Sequence, residues 1–175
     1  KTKLAGEEAI RQVGLPHLIL RTSWVYSDYG KNFLKTILRL AAERDSLNIV
    51  ADQFGAPTSA HSIVSGLEQL LAIWDVSDEV QTGTYHYTNN GSASWYEFAC
   101  QIVKTYEDLA ISYQLPALKI SANAIGAIST SDYPTPSARP ANSRLDNSKL
   151  YNTFGIHLPL WQDALQEVML KLYKP

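Results

Sequence analysis

His17-Leu18-Ile19-Leu20-Arg21-Thr22-Ser23-Trp24-Val25-Tyr26 passes from an apolar run into a polar and aromatic one with no turn residue between them. Residues 17–22 read as a short buried strand, because the run is brief and Gly14-Leu15-Pro16 stops whatever helix precedes it. Open α/β sheets place their ligands at the carboxyl ends of strands, so the segment from Arg21 to Tyr26 is a candidate site. Upstream, Leu4, Ala5, Ala9, Ile10 and Val13 share one helical face and predict an amphipathic helix over residues 1–13. A helix feeding a buried strand is the tail of a parallel α/β unit.

Downstream, Asp28-Tyr29-Gly30 predicts a turn, and Phe33, Ile37, Leu40 and Ala41 predict a helix up to Glu43. Residues 47–51 read as a strand leading into a loop made rigid by Gly55 and Pro57. A long helix is expected from Ala60 to Trp74, with Ile63, Leu67, Leu70, Leu71 and Trp74 inward. Residues 83–88 alternate as a strand does and end at Asn89-Asn90-Gly91. Ser94 and Glu97 have capping-box spacing and start a helix at Trp95. A further strand is admitted over 117–123, and Pro134, Pro136 and Pro140 make 133–140 a loop. Asp146 is read as the cap of a short helix through Tyr151. A last helix follows Pro159 and turns Trp161, Leu165, Val168, Met169 and Leu172 inward.

With 175 residues, 45% hydrophobic and 18% charged, the chain suits one sizeable core. A net charge of -2 with scattered Lys and Arg leaves no footprint for nucleic acid. The lone Cys100 forms neither an internal disulfide nor a zinc cluster. His17, His61, His86 and His157 show no close metal-ligand spacing, and no metal site is expected. The sequence has no apolar run of transmembrane length, so no membrane partner is expected. It also has no glycine-rich G-x-x-G-x-x-G or G-x-G-x-x-G turn between a strand and a helix.

Five segments in order, Lys1-Thr2-Lys3-Leu4, Arg21-Thr22-Ser23-Trp24-Val25-Tyr26, Asp52-Gln53-Phe54-Gly55-Ala56-Pro57-Thr58, Ser94-Trp95-Tyr96-Glu97-Phe98-Ala99 and the run from Tyr133 through Arg139-Pro140-Ala141-Asn142 to Asp146, carry a family resemblance. Together they resemble the C-terminal part of the dTDP-4-dehydrorhamnose reductases, extended members of the short-chain dehydrogenase/reductase superfamily. The implied fold class is α/β: the tail of a Rossmann-type sheet plus a small mixed α+β substrate-binding region. The boundary is expected near residue 26, with 1–26 as the tail of the nucleotide-binding domain and 27–175 mainly substrate-binding, some elements packing back on the sheet.

In that superfamily a Tyr and a Lys four residues later lie one helical turn apart and reach the same nicotinamide and carbonyl. The resemblance makes Lys3 that lysine, both catalytic and cofactor-binding. Its Tyr partner would precede residue 1, and the opening without Met leads to the expectation of a truncated or partial chain. Tyr26, Tyr29, Tyr113 and Tyr133 have no Lys four residues on and do not replace it. A truncated sheet edge and apolar face favour a partner chain, a homodimer being one option.

Trp24 matches the family's substrate-site tryptophan, an indole face suited to a deoxysugar. Arg139 matches an arginine that faces the substrate diphosphate, where a guanidinium fork meets two oxygens; a structural salt bridge is the alternative. Gln53, Thr58 and Asn142 are further substrate-binding candidates, with a purely structural role open for each, and Asp28, Asn32 and Phe33 are weaker ones. The resemblance implies NADPH or NADH, a dTDP-sugar substrate, a cytoplasmic location and an association with Mg²⁺ that no carboxylate cluster here supports. Two other readings stand beside it: a regulatory subunit of methionine adenosyltransferase, which shares the fold, and a reductase or epimerase for another nucleotide sugar.

Overall fold

A computed structural model describes residues 2–76, 81–134 and 139–173. In chain order the elements are α1 (Thr2–Gln12), β1 (Leu18–Arg21), β2 (Val25–Tyr26), α2 (Phe33–Glu43), β3 (Asn48–Val50), β4 (Phe54–Gly55), β5 (Thr58–Ser59), α3 (Ala60–Asp75), β6 (Gly83–His86), β7 (Ala93–Ser94), α4 (Trp95–Tyr113), β8 (Gly126–Ile128), α5 (Ser148–Phe154) and α6 (Trp161–Tyr173). The strands form four short pairs. β1 lies parallel to β6, β2 to β5 and β3 to β8, whereas β4 runs antiparallel to β7.

Local chemistry sets most of the helix boundaries. The Asn32 side chain accepts from the Lys35 amide at 3.2 Å and starts α2. Ser59 does the same for Ser62 at 2.9 Å ahead of α3. The expected capping box of α4 is complete, with Glu97 N donating to Ser94 Oγ at 3.1 Å and Ser94 N to Glu97 Oε2 at 2.6 Å. Gly14 takes a φ of +72° just beyond α1, as the stop signal required.

Two cores result. The larger one packs α2, α4 and α6 together through Leu34, Ile37, Phe98, Ile102, Leu165, Val168 and Met169, all fully buried. The smaller joins the β1–β6 pair to α3 and α5 through Leu70, Tyr85, Tyr87, Leu150, Ile156 and Leu158. Because β6 pairs with β1 in register from Leu18↔Gly83 to Arg21↔His86, a strand far downstream lies beside the first one.

Four expectations are corrected. Residues 117–123 make no strand: the Lys119 and Ile120 amides both donate to Ala41 O, docking that stretch on the end of α2, and the strand forms at β8. α5 begins one residue later than a cap at Asp146 implies and runs on to Phe154, although Asp146 does accept from Ser148 N at 2.9 Å. Leu71 is 62% exposed, because α3 turns Leu70 inward and leaves Leu71 on the face of Val64. The apolar face of α1 is not covered either: Leu4, Ile10 and Val13 are 46–65% exposed and the helix buries no residue. What holds α1 to β1 is polar. Arg21 grips Glu7 with two bonds of 2.8 and 2.7 Å, and Arg11 adds a third at 2.8 Å.

Candidate functional site

Between α2 and β3 lies a cleft of about 440 Å³, within the range of small-molecule sites. Phe33, Thr36, Ile37 and Leu40 recur at helical spacing along one wall, and Leu47 to Val50 form the other. Arg44 and Ser46 sit on the turn joining the two walls. Trp95, Gln53, Tyr133 and Arg139 complete the lining, so a mostly apolar slot carries guanidinium, amide and phenol groups. Neither Arg44 nor Arg139 forms an ion pair among the described residues.

Trp95 enters the cleft as the first residue of α4, directly after the N-cap Ser94. Trp24 stacks on it face to face, with ring centroids 3.5 Å apart and planes 8° from parallel. Phe33 also packs on Trp95, 4.6 Å away and tilted by 50°. Trp24 occupies the left-handed region with φ of +49°, a conformation rare outside glycine and found where surroundings over-determine it. The surroundings here include Gly55, where a Cβ would stand 2.4 Å from Trp24 Cε2. The loop glycine is therefore needed for close approach of an indole, and its own φ is unremarkable.

Beside the cleft, the segment that carries Gln53 is tied down by polar bonds. Asp52 accepts from Thr130 N at 3.0 Å to each oxygen and from Thr130 Oγ1 at 2.6 Å. These bonds from Thr130 hold the Asp52 carboxyl below its usual range. Gln53, 6% exposed, donates Nε2 to Thr130 Oγ1 at 3.1 Å. One residue on, Phe54 N donates to Ala141 O and Ser143 N to Phe54 O, both at 2.8 Å.

The structure therefore distributes the six sequence candidates over distinct places. Gln53 and Arg139 line the cleft. Trp24 backs Trp95, which is the tryptophan in the lining. Thr58 is fully buried; its hydroxyl donates to Ala56 O at 3.0 Å and its amide to Trp24 O at 3.2 Å, so it ties β2 to β5. Asn142 bridges to Phe54, and its Oδ1 accepts from Arg144 N and Nε at 3.1 and 3.0 Å. Lys3 is exposed on α1, one turn from Glu7 and on the same face, and its ammonium makes no hydrogen bond among the described residues. Asn32 and Asp28 serve the α2 entry, Asn32 Nδ2 donating to Ser27 O at 2.7 Å and Asp28 meeting His61 Nε2 at 2.7 Å. Sequence reasoning missed Trp95, Tyr133 and Arg44. The signal for Trp95 was its place next to the N-cap Ser94, read only as a helix start. Among the described residues there is no group of three or more His, Cys, Asp or Glu able to hold a metal and no helix long and apolar enough to cross a membrane.

The sequence profile of the RmlD substrate binding domain matches residues 1–174. The chain belongs to that family. Family relatives include the dTDP-4-dehydrorhamnose reductases of Aggregatibacter actinomycetemcomitans, 42% identical over 96% of this chain, and Burkholderia thailandensis, 44% identical over 94%. The chain spans about half of their length, 55% and 54%. Among solved structures, the Clostridium acetobutylicum dTDP-4-dehydrorhamnose reductase ortholog superposes on 98% of the chain with a TM-score of 0.81 at 32% identity, and covers 54% of that protein. The Bacillus anthracis dTDP-4-dehydrorhamnose reductase in complex with NADP gives 0.79 at 31% identity over 97% of the chain and 53% of its own. Family membership makes the fold that of the C-terminal part of an extended short-chain dehydrogenase/reductase.

Proposed function

We propose that this chain is the sugar-nucleotide-binding part of an NADPH-dependent dTDP-4-dehydrorhamnose reductase. The observation that carries the reading is the α2–β3 cleft, which joins an apolar slot to Arg139 and to the Trp24–Trp95 stack. Phe33, Ile37, Leu40 and Leu47 remove water from the flat face of a thymine. The Arg139 fork pairs with the diphosphate oxygens. The Trp95 indole gives the 6-deoxysugar an apolar face, and Trp24 keeps that indole in place.

By the family resemblance Lys3 contacts the nicotinamide ribose and lowers the pKa of a neighbouring tyrosine by its charge. Glu7, clamped by Arg21, fixes the α1 face on which Lys3 stands. The described residues contain no glycine-rich turn between a strand and a helix, so the cofactor diphosphate finds no cradle here. In the whole protein NADPH supplies the hydride. None of the ten tyrosines has a Lys four residues on, so the 175 residues by themselves bind sugar nucleotide without reducing it. The same reading puts the protein in the cytoplasm, with neither nucleic acid nor membrane as partner.

Calorimetric titration with dTDP and dTDP-L-rhamnose tests it. Binding is expected, weakened about 10- to 150-fold by Arg139→Ala, the worth of a charge-assisted bond of about 1.5–3 kcal/mol. A chain that binds neither compound, or that instead forms a stable complex with a methionine adenosyltransferase, sinks the reading.

A further inference from the structure

Two stretches that contribute to the cleft, Ser129–Tyr133 and Arg139–Ser143, are tied to the same short segment of chain. The first is anchored on Asp52 and the second on Phe54, so Gln53 stands between the two anchors. The anchors differ in kind. At Phe54 the bonds are backbone to backbone, with Ser143 Oγ adding a 3.0 Å bond to Phe54 O, and the bridge to Asn142 extends them; the side-chain identity of Phe54 matters little. At Asp52 everything depends on one carboxylate. It is exposed and contributes nothing to either core, yet it takes both polar hydrogens of Thr130.

The geometry has a direction. A hydroxyl has one proton to give, and Thr130 Oγ1 gives it to Asp52 at 2.6 Å, which leaves its lone pairs for the Gln53 amide at 3.1 Å. One hydrogen of Gln53 Nε2 is thereby committed to Thr130, which fixes the plane of the amide. The same Thr130 carries the next turn: Tyr133 N donates to Thr130 O at 3.2 Å, and Ser129 and Asp132 close that turn by a reciprocal pair of bonds. Tyr133 lines the cleft, as Gln53 does.

We propose that Asp52 is a positioning residue for sugar-nucleotide binding: its carboxylate, through Thr130, orients the Gln53 amide and sets the Tyr133 turn against the cleft. This rests on the reading of the cleft as the sugar-nucleotide site. Asp52 itself touches no ligand. An asparagine in its place keeps one acceptor oxygen, but the second oxygen becomes an amide that faces the Thr130 N–H donor to donor. Thr130 N–H then loses one of its two acceptor oxygens, so Thr130, and with it the Gln53 amide and the Tyr133 turn, is held less firmly.

The test uses the full chain with dTDP as probe. Asp52→Asn and, as a second variant at the other end of the contact, Thr130→Val are each expected to weaken dTDP binding about fivefold or more, on the scale of a lost bond to a charged group. Thr130→Ser, which keeps both hydrogens, is expected to bind like the unsubstituted chain. In a Gln53→Ala, Tyr133→Ala background Asp52→Asn should add less than about twofold, because a residue acting through others has nothing left to act on. A merely structural role predicts the reverse, a lower melting temperature with losses that add in every background. Unchanged affinity of Asp52→Asn against a binding wild type, or full additivity in the double background, overturns the positioning role and leaves the cleft reading intact. Failure of the unsubstituted chain to bind dTDP overturns the cleft reading and the inference with it.

Discussion

Replacing Gly55 by alanine tests the arrangement around the stacked tryptophans directly. The added Cβ would stand 2.4, 2.6 and 2.7 Å from Trp24 Cε2, Nε1 and Cζ2. Ordinary carbon contacts begin near 3.5 Å, so the indole must retreat by about 1 Å or the β4 backbone must move. The ring has little freedom to do so, being stacked at 3.5 Å on Trp95 from a residue already in the left-handed region. Overpacking of this kind costs about 1–3 kcal/mol, and a disrupted stack adds about 0.5–1.5 kcal/mol. For a chain of this length each kcal/mol lowers the melting temperature by about 2–4 °C. Gly55→Ala should therefore melt several degrees lower and lose near-ultraviolet circular dichroism from the coupled indoles. Gly6→Ala is the control, since a Cβ there meets nothing within 4 Å. In the middle of α1 it should be neutral or stabilising by up to about 1 kcal/mol. If Gly55→Ala melts within about 1 °C of the unsubstituted chain with an unaltered near-ultraviolet spectrum, the close approach of Gly55 and Trp24 is not what holds the stack.

Gly66→Ala, in α3, puts a methyl 1.9 Å from the Tyr87 hydroxyl, which donates to Ile63 O at 3.1 Å; a loss of about 1–3 kcal/mol is expected in urea unfolding. Glu7 is pulled down to about 2, chiefly by its bond with Arg21. The folded value lies below the unfolded one, so the contribution to docking α1 is complete above about pH 4.5 and fades as pH falls toward 2. Amide exchange of α1 should accelerate over that window while the α4 amides stay protected, and equal behaviour of the two helices would contradict it. Tyr26 is 1% exposed with no partner for its hydroxyl among the described residues, and burial raises its ionisation far above that of a free phenol; alkaline spectrophotometric titration should leave it protonated until the chain unfolds. Leu34→Ala, at the centre of the larger core, should cost about 2–5 kcal/mol by the same unfolding assay.

Local signals carried the helices well. Asn32, Ser59 and Ser94 are short polar residues whose oxygens take the first free amides of α2, α3 and α4, a bond made within four residues of chain. The same locality explains the failure at 117–123. Its apolar character was real, and Ile120 is buried, but its amides are claimed by Ala41, distant in sequence. Leu71 and the face of α1 went astray because periodicity shows that a helix has an apolar side without showing whether anything covers it.

The candidate site divides along the same line. That Trp24, Gln53 and Arg139 are candidates for sugar-nucleotide contact was legible from their flanking residues, since those motifs are contiguous. That Trp95 forms the cleft wall and Trp24 its backing could not be read, because the stack joins residues 24 and 95 through the close approach at Gly55. Nor could the commitment of Thr58 to the β2–β5 pair, or the tie from Asp52 to Thr130 across 78 positions. Residue order determined the fold class, the caps and the family resemblance, all products of short-range bonding and period. Which side chains meet in the cleft was decided only when α2, β3, α4 and the Thr130 turn packed together, since contacts of that range carry no signature in any one segment.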